Sequence, residues 1–118
     1  MYATIAALFI VLFAMPTMVQ AETYDLKICG MAVTSDNCND LSVIEGVRGT
    51  VKYDPTNKVL TLQDATISNE HNGILSEIDG LTIKVVGTNN FTVKTNSTVH
   101  ARRPLSIIGT GVLNLKSN

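Results

Sequence analysis

The chain has 118 residues, 45% of them hydrophobic, and its nine Lys and Arg stand against ten Asp and Glu for a formal net charge of -1. A balance this even leaves no basic stripe to neutralise phosphates, so nucleic acid is a poor partner class. Once a leader is set aside, the remaining length holds one domain and excludes a second of ordinary size.

The leader is expected over residues 1 to 21. An apolar run from Ala3 to Ala14 is broken at Pro16 and followed by Val19-Gln20-Ala21, the small-residue pattern that signal peptidase accepts. Only the amino terminus supplies positive charge ahead of the run. A retained anchor is the weaker alternative, because the run is shorter than the ~20 residues that span a bilayer. Cleavage after Ala21 leaves residues 22 to 118 as a single exported domain, secreted or at the cell surface.

From Glu22 onward, short β-branched runs are separated by Gly, Asn and Asp, with no apolar stripe at helical spacing, which is an all-β pattern. Tyr24 to Ile28 alternates faces, Gly30 lets the chain turn, and Ala32 to Thr34 returns. Cys29 and Cys38 flank this return. In an exported chain a disulfide between them is the economical expectation, worth about 2 to 3 kcal/mol for so short a loop. The alternative, a metal pair, lacks further thiol or imidazole ligands nearby. Between the cysteines and beyond lies the polar loop Ser35-Asp36-Asn37-Cys38-Asn39-Asp40.

Thr50-Val51-Lys52-Tyr53 and Val59-Leu60-Thr61-Leu62 flank Asp54-Pro55-Thr56-Asn57-Lys58, whose Asp-Pro start suits a type I turn, so a hairpin is expected here. Then a phrase recurs. Leu60-Thr61-Leu62, Leu81-Thr82-Ile83 and Leu105-Ser106-Ile107 begin 21 and 24 residues apart. Val86 to Val93 aligns without a gap on Ile108 to Leu115. Gly73-Ile74-Leu75 and Thr98-Val99-His100 sit at comparable offsets.

A period in the low twenties with three short strands per repeat predicts a short right-handed parallel β-helix, a solenoid with an N-terminal hairpin, in which each coil buries its apolar residues only by stacking on the next. A β-sandwich is the alternative. The solenoid puts Leu60, Leu62, Ile67, Ile74, Leu81, Ile83, Val85, Val93, Leu105, Ile107, Leu113 and Leu115 inside, with Thr61, Thr82 and Ser106 outside. The sequence closes on a strand with no polar cap, so the last coil is expected either to meet another molecule, including a second copy, or to continue into a longer repeat protein.

The phrases Tyr53-Asp54-Pro55, Leu60 to Ile67 (LTLQDATI), Leu81 to Asn89 (LTIKVVGTN) and Leu105 to Gly111 (LSIIGTG) resemble those of secreted bacterial repeat proteins, common in gut Bacteroidetes, that are labelled carbohydrate-binding domain-containing. The resemblance covers roughly Tyr24 to the end, although this chain is much shorter than typical members. It implies a right-handed parallel β-helix related in shape to pectate lyases, with plant-wall polysaccharide and, in some members, calcium as ligands.

On that reading the chain is a non-catalytic carbohydrate-binding module, with a structural or adhesive surface segment as the alternative and a calcium-dependent polysaccharide lyase as a third. Sugar rings stack on aromatic faces. There is no Trp, so Tyr24, Tyr53 and Phe91 are the available rings, and Tyr53, Lys84 and Asn89 are the candidate ligand-binding residues. Calcium needs six to eight oxygens. The loop Asp36, Asn37, Asn39, Asp40 and the corner set Asp64, Asn69, Glu70, Asn72, Asp79 qualify by composition, with Asp64 and Asp79 the candidate ligands. The other reading of both clusters is that Asx side chains satisfy turn backbones. A lyase base would have to be Lys84, Arg102 or Arg103, while His71 and His100 stand without a catalytic partner at a telling spacing. Asn90-Phe91-Thr92 and Asn96-Ser97-Thr98 match the glycosylation sequon.

Overall fold

The computed structural model describes residues 21 to 117; the expected leader, residues 1 to 21, therefore lies outside them except for its last residue. The described chain is all-β, 60% strand, with no α-helix.

It begins with β1 (Thr23–Ile28) and β2 (Met31–Thr34), an antiparallel pair turned by Cys29 and Gly30, both at positive φ. A loop over residues 35–46 carries one 3-10 turn, Leu41–Val43, started by the Asp40 carboxylate accepting from the Ser42 amide. Next come β3 (Val47–Asp54) and the long β4 (Val59–Asn69), paired antiparallel as the Asp54-Pro55 turn predicts. The rest of the chain is β5 (Ile74–Ser76), β6 (Leu81–Val86), β7 (Thr88–Val93), β8 (Val99–Ala101), β9 (Leu105–Gly109) and β10 (Val112–Ser117).

Two sheets result, in the orders β2-β1-β5-β8 and β10-β7-β4-β6-β9, with β3 on the other side of β4. The second curls because β4 bends at Asp64, whose φ is 49°. Its first half pairs with β6 (Val59 opposite Thr82) and its second half with β7 (Thr66 opposite Asn90). β5 and β8 pair through Ile74 and Val99, β6 and β9 through Leu81 and Leu105, and β7 and β10 through Thr88 and Val112. All five of these pairings are parallel, with partners 23 to 25 residues apart, whereas β1–β2, β1–β5 and β3–β4 are antiparallel. Three layers stack in this way: β4 with β5, then β6, β7 and β8, then β9 and β10.

The registers correct the sequence alignment. Leu60 lies opposite Ile83 rather than Leu81, and Thr88 opposite Val112 rather than Thr110. Both errors are slips of two residues. Because side chains alternate with period 2, such a slip leaves every residue on its proper face and is invisible to an apolar pattern.

Leu60, Leu62, Ile67, Ile74, Leu81, Ile83, Val85 and Val93 are buried as expected, around Phe91 and Leu26. Each fully buried Leu or Ile contributes about 1.5 to 3 kcal/mol of apolar transfer. Leu105 and Leu113 are only half-buried, and Ile107 and Leu115 are 52% and 48% exposed, contrary to expectation. Register places Ile107 over Ile83 and Leu115 over Phe91, so both continue core columns; no further layer covers them among the described residues.

The first layer is closed on its other side. β3 lies against β4, β1 against β5, and loop 35–46 sends Leu41, Ile44 and Cys38 into the core while the Cys38 carbonyl accepts from the Tyr53 amide at 2.7 Å. Gly46, at φ 93°, hands the Ser68 amide a carbonyl at 2.9 Å in this closure.

No disulfide joins Cys29 and Cys38; both are free thiols. Cys29 sits at the tip of the β1–β2 hairpin, with its Sγ donating to the Ser68 carbonyl at 3.7 Å. Cys38 sits at the hairpin's open end, its amide on the Thr34 carbonyl and its Sγ on that of Ser35. Five strand steps separate tip from open end, ~17 Å, beyond the ~7 Å limit between bridged Cα atoms. Burial pushes the Cys29 thiol pKa up, which also keeps it protonated.

Candidate functional site

An open groove of about 790 Å³ lies where the start of β1, the β3–β4 turn and the corners at residues 77–80 and 102–104 meet. Tyr24, Asp25, Tyr53, Lys58, Asp79 and Arg103 line it, with Glu22 and Glu77 at its margins.

Each wall is held by hydrogen bonds of side chains and backbone. In the β3–β4 turn, the Asp54 carboxylate accepts from the Thr56 and Asn57 amides at 3.0 and 3.3 Å and from Asn57 Nδ2 at 2.8 Å. These bonds, the Asn57 side chain first, hold the Asp54 carboxyl below its ordinary pKa. Lys58, in the left-handed region at φ 55°, donates from Nζ to the Asp79 carbonyl at 3.2 Å and ties the turn to the β5–β6 corner. On the other wall the Glu77 amide donates to the Asp25 carbonyl at 2.9 Å, and Arg102 pairs with Glu77 at 2.7 Å. The Gly80 amide donates to the Pro104 carbonyl, stacking one corner on the next.

The aromatic element is Tyr24. Its ring meets that of Tyr53 edge to face, with centroids 5.5 Å apart and planes at 63°. Desolvation, then the nearby Glu22 carboxylate, raises the Tyr24 phenol pKa, so the hydroxyl stays protonated and able to donate. The groove therefore offers one held ring, carboxylates that accept from hydroxyls, and two cations that donate to them.

Of the residues singled out in the sequence, Tyr53 and Asp79 come together in this groove, and Lys84, Asn89 and Asp64 do not. Tyr53 is 4% exposed and forms the floor, so its ring is chiefly a core residue. Asn89 is not a ligand contact: it is 0% exposed and fully engaged. Its Oδ1 accepts from the Ala65 amide at 2.8 Å, and its Nδ2 donates to the Val86 and Val112 carbonyls at 3.1 and 3.2 Å. One side chain thus bridges all three layers. Lys84 is exposed on β6, between Thr61 and Ile108 on its neighbours.

Asp64 and Asp79 do not form a calcium pair. They lie at opposite ends of β6, six residues or ~20 Å of strand apart. Asp64 instead accepts from the Thr88 amide at 3.0 Å. In the other acidic loop, Asn37 accepts from the Thr34 amide and Asp40 from that of Ser42, so the Asx side chains serve turn backbones. Among the described residues no three of His, Cys, Asp and Glu gather as a metal-holding group. His71 meets Thr95 Oγ1 at 2.8 Å, one layer on.

Sequence reasoning passed over Asp25, Glu77 and the groove face of Arg103. Their one common signal is position: Glu77 and Arg103 follow strand ends, and Asp25 lies in the first half of β1, all of which the fold assembles at the same corner. No family model matches the chain, and the searches of curated proteins and of solved structures find no match.

Proposed function

We propose that this chain is an exported, non-catalytic glycan-binding module, and that its three parallel layers are the turns of a short right-handed β-helix. The observation that carries the binding reading is the groove's combination of the Tyr24 ring with Asp25, Glu77, Asp79, Lys58 and Arg103 around about 790 Å³. A pyranose has two apolar faces and a rim of hydroxyls; a held aromatic ring takes the face, and the carboxylates and cations take the rim. Carboxylates outnumber cations along the groove, which favours a neutral saccharide over a polyuronate. That bias also weighs against the lyase reading, since a uronate substrate would enter a site of its own sign.

The fold reading rests on the partner offsets of 23 to 25 residues, which repeat for all three strand positions. Calcium has no part in it.

Calorimetric titration with neutral oligosaccharides (cello-, xylo- and manno-series) and with polygalacturonate tests the binding. At least one neutral series should bind, and Tyr24→Ala should weaken it on the order of tenfold, the loss of one stacking contact. Lys84→Ala, away from the groove, should leave it unchanged. Failure of every saccharide to bind, or binding indifferent to Tyr24→Ala in a variant that still melts cooperatively, would refute the proposal.

A further inference from the structure

The groove does not end at its Asp25 and Glu77 wall. β1 alternates faces: Leu26 and Ile28 are buried, while Thr23, Asp25 and Lys27 stand on the solvent side of the first sheet. On that side Lys27 lies in register between Ala32 of β2 and Leu75 of β5, so a charged side chain rises beside two half-buried apolar ones. With Arg102 these residues bound a second recess of about 360 Å³. Tyr24, Asp25 and Glu77 line this recess and the groove alike.

A third hollow joins the two. It holds about 400 Å³ and is lined by Asp25, Glu77, Arg102 and Arg103. Arg103 borders the groove and Arg102 the second recess. The Arg102 amide donates to the Ser76 carbonyl at 2.9 Å and its Nη1 to Glu77 at 2.7 Å, which holds the guanidinium at the junction. One depression therefore runs from Lys58, past Tyr24, to Lys27. Both terminal lysines are exposed and neither is in an ion pair among the described residues, so the track opens to solvent at each end with a donor beside it.

The second recess repeats the chemistry of the groove. Ala32 and Leu75 offer an apolar floor to a ring face, and Asp25, Lys27 and Arg102 offer acceptors and donors to its hydroxyls. Groove and recess each fall, on their own, within the roughly 300 to 1,000 Å³ of a small-molecule site, so one sugar ring does not fill both.

We propose that the second recess is a further subsite for the same ligand, so that the chain takes an internal stretch of a polysaccharide, two or more sugar units long, with Tyr24 at the crossing between subsites. This rests on the glycan reading of the groove. Lys27 is then a specificity-determining residue, donating to a unit that the shortest ligands lack.

Calorimetric titration of the purified chain with the cello-, xylo- and manno-series, each from the monosaccharide to the hexasaccharide, tests it. Affinity within a binding series should rise on the order of tenfold with length and then level off. Blocking the reducing end as a methyl glycoside should leave it unchanged. Lys27→Ala should weaken the hexasaccharide on the order of tenfold, the loss of one hydrogen bond from a charged donor, and leave the shortest ligand that binds unaffected. A cooperative melt establishes that the variant is folded, and the length series of the parent chain decides the matter without it. Affinity that is flat with length, a Lys27→Ala loss that is absent or equal for short and long ligands, or loss of binding on blocking the end would each overturn the proposal and leave the glycan reading standing. Failure of every saccharide to bind would remove both.

Discussion

Replacing Asn89 by Ala removes three hydrogen bonds made by a fully buried side chain. The Ala65 amide, buried with its residue, loses its only side-chain acceptor, and a buried donor left unpaired costs about 1 to 3 kcal/mol. The Val86 and Val112 carbonyls lose a donor each; Val112 is 51% exposed, so its carbonyl recovers water and its share is at the low end of the usual 0.5 to 1.5 kcal/mol, roughly. Together the loss is about 3 kcal/mol, which for a domain of this size lowers the melting midpoint on the order of 15 °C. Asn89→Asp keeps the acceptor toward Ala65 but sets a buried carboxylate against two carbonyls, so it should lose more than Ala does. The neighbouring Asn90 is the control: its Oδ1 accepts only from Asn114 Nδ2, on the exposed face, and Asn90→Ala should shift stability by no more than about 0.5 kcal/mol. Scanning calorimetry of the three variants reads all of this directly. An Asn89→Ala midpoint close to that of the parent would mean that the side chain does not bridge the layers. A change in saccharide affinity without a change in midpoint would return Asn89 to the ligand-binding surface.

Two further outcomes follow from turn geometry. Gly46 and Gly80 share a positive φ, but a Cβ at Gly46 would collide with the Ser68 carbonyl oxygen whereas one at Gly80 meets nothing within 4 Å. Gly80→Ala should therefore cost only the conformational term of about 1 kcal/mol and Gly46→Ala clearly more, as chemical denaturation will show; equal losses would remove the steric argument. The Asp54 carboxyl is held low by its folded-state hydrogen bonds, so its stabilising contribution is present above the unfolded carboxyl pKa and is lost as pH falls through the lower folded value. Asn57→Ala should move the Asp54 titration up toward the ordinary Asp range in carboxyl NMR; an unmoved midpoint would clear Asn57 as the cause.

What the sequence discloses depends on how local the cause is. The β3–β4 hairpin is legible because Asp54, Pro55 and Asn57 build the turn among themselves. The inward set on β4 and β6 is legible because alternation is a property of each strand alone. Asn89 is not: with Val86 to Val93 laid on Ile108 to Leu115 it falls on Gly111, a turn, and reads as polar surface. At the true offset of 24 it falls on Leu113, an inward position, and its burial becomes visible. The disulfide expectation failed for a related reason, since nine positions in sequence say nothing of a hairpin that carries its two ends apart. The groove was out of reach altogether, because Tyr24, Asp79 and Arg103 are neighbours only after three layers have stacked.

Stacking at a constant interval also sets how the molecule yields to force. Each parallel layer is held to the rest only through the one before it, so tension applied from the β10 end meets one layer's hydrogen bonds at a time. Once the β9–β10 layer gives way, residues 105–117 lengthen toward ~45 Å before the next layer is loaded. The antiparallel cap, anchored by β3 and the buried cap loop, is the last to feel the pull. A chain built this way yields layer by layer, and its toughness grows with the number of layers rather than with the strength of any one.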